Sequence, residues 1–219
     1  MSVWAVLAAA GSGERLGADH PKAFVRLGEL PLLAESLSRL DESEWIDQIV
    51  VAAPPGWEEP AILLAEELGC SKCAACVTGG TTRAESVRLA LAEVPEDATV
   101  VLVHDAARPL VSEFVIQRVL TALGEGWDGA VPALPVPDTV KRVERERVVE
   151  TLERGGLVTV QTPQAFVADV LRRAVEAGEG PDCSSLVERA GGRVRWVQGD
   201  TRLLKVTTPA DLELVASWL

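Results

Sequence analysis

The chain has no stretch that approaches the roughly 18 continuous apolar residues of a membrane-crossing helix. Its first residues, Met1-Ser2-Val3-Trp4, run straight into an apolar segment with no basic stretch ahead of it, so the opening of a secretory signal is missing too. Both absences predict a cytoplasmic protein that does not engage a membrane. Positive charge is scarce: the formal net charge is −12, and only four of the 21 basic residues are lysines. Nucleic-acid binding through released counterions requires a surface rich in Lys and Arg, and this balance argues against it. Anionic small molecules stay in play, because an acidic protein can gather its few cations at one site. Lys22 and Lys205 therefore carry information. Cysteine is sparse as well, with Cys70, Cys73 and Cys76 evenly spaced and Cys183 far downstream. Zinc sites use C-x-x-C spacing. Residues three apart on a strand point to opposite faces, however, so thiolates on the strand-like run from Cys73 to Val77 do not easily converge. They read as small buried hydrophobes.

What is present is a regular rhythm over 219 residues, enough to bury one substantial core. Strands are predicted at Val3–Ala9, Ile49–Ala53, Cys73–Val77 and Val100–Val103. Helical patterns fall at Leu32–Leu40, Glu58–Leu68, about Thr82–Ala92, Glu113–Leu123 after a Ser112 cap, Val167–Ala177 and Asp211–Leu219. The alternation implies a doubly wound α/β fold, a mostly parallel sheet with helices on both faces, as one domain over residues 1–219. The rhythm breaks between Pro132 and Pro163. From Asp138 to Arg154 five acids and five bases stand between short β-like runs, the composition of a solvated hairpin. This arm, residues 133–157, has too little apolar surface to be stable alone. It packs on something, and a partner subunit is a candidate.

The first strand ends in Leu7-Ala8-Ala9-Ala10-Gly11-Ser12-Gly13-Glu14-Arg15-Leu16. Small residues at a strand's C-terminal end let backbone N–H groups approach a phosphate chain, and open α/β sheets bind ligands there. The spacing Gly11-x-Gly13-x-x-Leu16 lacks the third glycine of a dinucleotide fingerprint and the Gly-Lys-Ser/Thr ending of a P-loop. Arg15 and Lys22, the latter after Pro21, place two cations beside the same loop. His104 ends a buried strand and reads as a structural hydrogen-bonding residue rather than a proton carrier. Asp105, at the same strand end, suits a nucleotide or Mg²⁺ contact better than a turn or cap. Arg108, before Pro109, reads as a brace that pairs with an acid.

Six motifs stand in order along the chain: Ala9-Ala10-Gly11-x-Gly13-x-Arg15 with Pro21-Lys22, Gly79-Gly80-x-x-Arg83-x-x-Ser86-Val87, His104-Asp105-Ala106-Ala107-Arg108-Pro109, Asp138-Thr139-Val140-Lys141, Thr162-Pro163-Gln164-x-Phe166, and Lys205-Val206-Thr207-x-Pro209-x-Asp211-Leu212. With them the chain resembles, over essentially its whole length, the methylerythritol phosphate cytidylyltransferases, nucleotidyltransferases of the non-mevalonate isoprenoid pathway. The resemblance implies a Rossmann-like nucleotidyltransferase fold, a homodimer joined through the β-arm, and Mg²⁺ or another divalent cation as cofactor. The implied reaction joins CTP to a sugar-alcohol phosphate with release of pyrophosphate.

Carried over residue by residue, the resemblance implies that Ala8, Ala9, Ala10, Gly11 and Gly13 cradle the CTP phosphates. Arg15 and Lys22 would be the catalytic cations, stabilising charge at the α-phosphorus. Gly80 and Ser86 would contact the cytosine. Asp105 and Ala106 would lie near the ribose and phosphates, Asp105 also being the candidate metal ligand. Thr139, Arg154 and Lys205 would hold the substrate phosphate. Two places depart from the family pattern: Thr81, where many relatives carry an acid, and Pro181-Asp182-Cys183-Ser184-Ser185, which replaces Thr-Asp-(Asp/Glu)-(Ala/Ser). Two other functions share these features. A ribitol 5-phosphate cytidylyltransferase would differ mainly around Arg154 and Lys205. A non-catalytic nucleotide-sensing module would keep the glycine loop but lose Arg15 and Lys22, and both are present.

Overall fold

The structure, a computed structural model, describes residues 2–219 apart from Ser12, Glu14, Arg15 and Ala18. In chain order the first half comprises β1 (Val3–Ala8), β2 (Arg26–Leu27), β3 (Leu30–Pro31), α1 (Leu32–Asp41), β4 (Gln48–Ala53), α2 (Glu58–Glu67), β5 (Cys73–Thr78), α3 (Arg83–Leu91) and β6 (Val100–Asp105). Then come α4 (Glu113–Gly124), β7 (Gly129–Pro135), β8 (Val140–Glu144), β9 (Arg147–Leu152), β10 (Val158–Val160), β11 (Gln164–Val167), α5 (Ala168–Glu176), α6 (Cys183–Arg189), β12 (Val194–Gln198) and α7 (Pro209–Ala216).

The most apolar strands take the middle of the eight-stranded sheet. β1 lies between β4 and β6 and is parallel to both, and β5 extends the parallel set beyond β4. Alternation with period two sorts their side chains. Val3, Ala5 and Leu7 pack with Ile49, Val51 and Leu102 under α1, α2 and α4. Val6, Val50, Ala52, Val101 and Val103 pack on the opposite face under α3, α5 and α6. Each fully buried Val or Leu contributes about 1.5–3 kcal/mol, so this double layer is what fixes the strand ends that carry the site.

The sheet is mixed rather than uniformly parallel. β11 runs antiparallel to both β6 and β7, and β10 continues along the same edge of β7. β12 closes the far side of β7 in parallel. Helix α7 begins at Pro209, earlier than expected, because Thr208 and Asp211 form a capping box, and it ends at Ala216. Ser112 does precede α4, but its hydroxyl makes no capping bond and is buried without a partner.

The cysteines depart from the expected geometry. β5 carries a bulge opposite β4, where Ile49 pairs with Cys73 and Val50 with Ala75. The extra residue brings Cys73 and Cys76 onto one face, against the same cluster as Cys70. The three thiols are free and half-buried, and burial pushes Cys70 and Cys76 up to about 11. They are protonated at neutral pH, and among the described residues no group of three or more His, Cys, Asp or Glu side chains is arranged to hold a metal.

β8 and β9 form the charged hairpin, which leaves the sheet after Pro135 and returns at Val158. Its base is closed by the Arg154 guanidinium, which donates to the Pro137 carbonyl. Arg142 pairs with Glu150 at 2.8 Å across the strands, while Val143, Val148 and Val149 are exposed.

Candidate active site

The C-terminal ends of β1 and β6 and the loop after β5 surround a cavity of about 440 Å³. Its walls are small because the chain turns tightly here. The Ala9 amide donates to Ala52 O at 2.9 Å and the Ala106 amide to Ala8 O at 3.0 Å. Buried Ser36 fixes Ala106 further by donating to its carbonyl at 2.9 Å. These alanines therefore supply wall rather than free amides, and the amides that could meet a phosphate chain begin at Ala10. Gly13 has φ +73°, and a Cβ there would lie 2.6 Å from Lys22 Cβ and 3.2 Å from Lys22 N. Only glycine allows the loop to approach Lys22 so closely.

The second wall is the turn into α3. The Gly80 amide donates to Ser86 Oγ at 3.0 Å, and Ser86 Oγ donates to Thr82 O at 2.9 Å. A serine hydroxyl has one hydrogen and two lone pairs, so one lone pair remains uncommitted. Thr82 caps α3 by accepting from the Glu85 amide at 3.1 Å. Thr81, at the position where an acid is common in the family pattern, gives both its amide and its hydroxyl to Glu85 Oε2, at 2.6 and 2.8 Å.

Asp105 is the electrostatic centre. Its Oδ1 accepts from Arg83 Nε at 3.0 Å and its Oδ2 from Lys205 Nζ at 2.7 Å. Burial opposes charge on this carboxylate, but Arg83 and then Lys205 outweigh it and hold its pKa well below the usual carboxylate range. Arg83 is itself largely buried, with Nη1 donating to Cys183 Sγ at 3.4 Å and Nη2 left without a partner. Lys205 is brought here by the C-terminal motif. The Val206 amide donates to Ala107 O at 2.8 Å, and Val206 is fully buried under α7. Thr207 and Thr208 are both tied to Asp211.

His104 is a fully buried supporting residue. Nε2 lies 3.0 Å from Arg108 O, which can only accept, so Nε2 carries the hydrogen in the neutral ring. Nδ1 then accepts from Thr162 Oγ1 at 3.0 Å, and that hydroxyl in turn accepts from the Asp105 amide at 3.1 Å. The chain of bonds fixes the backbone of Asp105 from behind. Arg108 braces the loop through a carbonyl rather than an acid, donating to Leu203 O at 2.6 Å. Asp182 caps α6 through the Ser185 amide at 2.9 Å and also accepts from Gln164 and Ser184. These are structural bonds.

Of the residues singled out from the sequence, the structure brings Ala8, Ala9, Ala10, Gly11, Lys22, Gly80, Ser86, Asp105, Ala106 and Lys205 to this one cavity. Gly13 lies against Lys22. Thr139 and Arg154 are exposed at the base of the arm and do not line it. Arg15 lies outside the described residues. Arg83 is the functional candidate that sequence reasoning passed over. Its signal was present, a single arginine inside a glycine-serine motif of an acidic chain.

Known proteins resemble the chain along its whole length. Residues 3–219 match the family model described as 2-C-methyl-D-erythritol 4-phosphate cytidylyltransferase. A relative of that name from Saccharopolyspora erythraea is 46% identical, covering 100% of both chains. One from Nocardia farcinica is 44% identical, covering 100% of this chain and 94% of its own. A crystal structure of the Thermus thermophilus protein of that name is 35% identical with a TM-score of 0.80, covering 97% of this chain and 96% of that one. A sheet with this strand order, a glycine-alanine loop facing a doubly paired aspartate, and similarity along the full length lead to one assignment: the chain belongs to the 2-C-methyl-D-erythritol 4-phosphate cytidylyltransferase family.

Proposed function

We propose that the chain transfers a cytidylyl group from CTP to 2-C-methyl-D-erythritol 4-phosphate, giving 4-diphosphocytidyl-2-C-methyl-D-erythritol and pyrophosphate. The observation that carries this reading is the convergence of Lys22, Lys205 and Asp105 with the loop of residues 8–11 and Ser86 around one cavity. A phosphate oxygen of the substrate attacks the α-phosphorus in line, and the bond to the β-phosphate breaks with the electron pair leaving on pyrophosphate. Two anions meet in this step, so fixed cations do most of the catalytic work. Lys22 stabilises the charge that develops, together with Arg15. Lys205, partly exposed and held on Asp105, grips the substrate phosphate while the carboxylate keeps its ammonium oriented. The remaining lone pair of Ser86 accepts from the amino group of cytosine, which uracil lacks, and this favours CTP over UTP.

The reaction implies a divalent cation such as Mg²⁺. Among the described residues, Asp105 is the carboxylate that lines the cavity, and each of its oxygens bonds one cation and keeps a lone pair. That fits an ion held mainly by phosphate oxygens and water, with Asp105 as its protein ligand. When bound, such an ion neutralises triphosphate charge.

The reading includes a homodimer in which Thr139 and Arg154 of the arm reach the partner's site. Exposed Val143, Val148 and Val149 support it, being apolar surface that a second copy would cover. It also includes a cytoplasmic location, supported by four free thiols. Among the described residues no helix is long and apolar enough to cross a membrane. The test is pyrophosphate release from CTP with a panel of polyol phosphates. Turnover with 2-C-methyl-D-erythritol 4-phosphate, abolished by chelation, is expected. Faster turnover with ribitol 5-phosphate would overturn the substrate, and no turnover with any acceptor would favour nucleotide sensing.

A further inference from the structure

Lys22 opens a single 3₁₀ turn, Lys22–Phe24, whose middle residue, Ala23, is buried in the core layer while Lys22 itself faces the cavity. The turn is closed by the Phe24 amide on Pro21 O at 2.9 Å and the Val25 amide on Lys22 O at 3.1 Å. Gly13 presses against Lys22 from one side. On the other side Phe24 packs partly into the core layer of β1, β4 and α1, and its ring meets the indole of Trp57 with centroids 4.6 Å apart, tilted by 42°. His20, at the start of the same segment, extends the group, its ring 6.2 Å from Trp57.

Trp57 is anchored independently of that loop. It follows β4 directly through Pro54-Pro55-Gly56, with its amide donating to Pro54 O at 2.9 Å. Gly56 has φ +79°, the left-handed conformation that a type II turn demands at its third position, and Pro55 occupies the second, where proline is favoured. Trp57 then caps α2, its carbonyl accepting from the Ala61 amide at 3.1 Å. A strand from the middle of the sheet and a helix packed on it thus present one indole face to the loop that carries Lys22.

From this arrangement we infer that Trp57 is a positioning residue for Lys22: it acts through Phe24 to hold the ammonium where charge develops, and it touches neither substrate. The inference rests on the catalytic reading of Lys22. A cation aimed at the transition state loses its effect when displaced by about 1 Å, with losses near 10²-fold, while ground-state binding changes little.

Steady-state kinetics on Trp57→Ala, Trp57→Phe, Lys22→Ala and the double variant test it, with CTP and 2-C-methyl-D-erythritol 4-phosphate varied separately. Trp57→Ala is expected to lower kcat by about 10- to 100-fold with both KM values within about threefold of the parent. Trp57→Phe, which keeps an aromatic face, should restore kcat to within about threefold of the parent. In the Lys22→Ala background, Trp57→Ala should cost less than about twofold more, because the residue it positions is gone. Should Trp57→Ala fail to fold, Trp57→Leu and Phe24→Leu, which keep apolar volume, enter the same comparison. Equal losses in both backgrounds, or a rise in KM at unchanged kcat, would overturn the inference and leave Lys22 catalytic. No loss from Lys22→Ala alone would overturn the catalytic reading and the inference with it.

Discussion

Burial pushes the imidazole of His104 from 6.5 down to about 4, and both ring nitrogens are already committed, to Thr162 and Arg108. Between those two pH values the unfolded chain takes up a proton that the native ring refuses. The contribution of His104 to stability is therefore complete above pH 6.5 and is lost as the pH falls toward 4. At about 1.36 kcal/mol for each pH unit, acidification across this window removes at most about 3 kcal/mol. Asp105, Asp182 and Asp211 are held below their ordinary 3.8, and Glu58 and Glu85 below their ordinary 4.5, so carboxylate contributions begin to fade only at the acid foot of this range, and comparison with a chain that lacks the imidazole separates them from His104. Urea unfolding at intervals from about pH 7.5 to 4.5 measures the slope, and an NMR titration of the imidazole assigns it. The parent should lose stability steadily below about pH 6.5, while His104→Asn, which carries no titrating ring, should show a shallower slope. An unfolding free energy that stays flat across this range, or an imidazole that titrates near 6.5, would refute the reasoning.

Three further outcomes follow from the site. Asp105→Asn leaves Arg83 buried without its carboxylate and should cost about 3–5 kcal/mol in urea unfolding near neutral pH; a loss below about 1 kcal/mol would mean that the pair is not what holds Arg83. Ser86→Ala should narrow the CTP-over-UTP ratio in kcat/KM by roughly tenfold, through loss of one hydrogen bond to the base, and an unchanged ratio would remove Ser86 from base recognition. Mixing Lys22→Ala with Arg154→Ala subunits, once exchange is shown, should return roughly a quarter of parent activity if the arm serves the partner's site, and none if it serves its own.

The middle of the sheet was legible in the sequence because β1, β4 and β6 are buried on both faces, and such strands read as unbroken apolar runs. β11, α6 and β12 were not, since elements of four, seven and five residues complete too few periods to declare themselves. The bulge in β5 defeated a correct rule about strand faces, because one inserted residue inverts the face of everything beyond it. The glycine loop and Lys22 stood out by chemistry and order. The pairing of Asp105 with Lys205 did not, because only the topology brings these residues together, across 100 positions of chain. The C-terminal motif shows the same limit from the other side. Its threonines and Asp211 form a helix cap, and the cap's consequence, the placement of Lys205, exists only in three dimensions.

The most direct measurement follows the α-phosphorus itself. With CTP labelled at that position and 2-C-methyl-D-erythritol 4-phosphate as acceptor, attack at the α-phosphorus carries the label into the sugar diphosphate and leaves the pyrophosphate unlabelled. The Lys22→Ala variant should form the same labelled product about 10²–10³-fold more slowly. Label recovered only as CMP, at a rate indifferent to the acceptor, would show hydrolysis instead of transfer and would contradict the account.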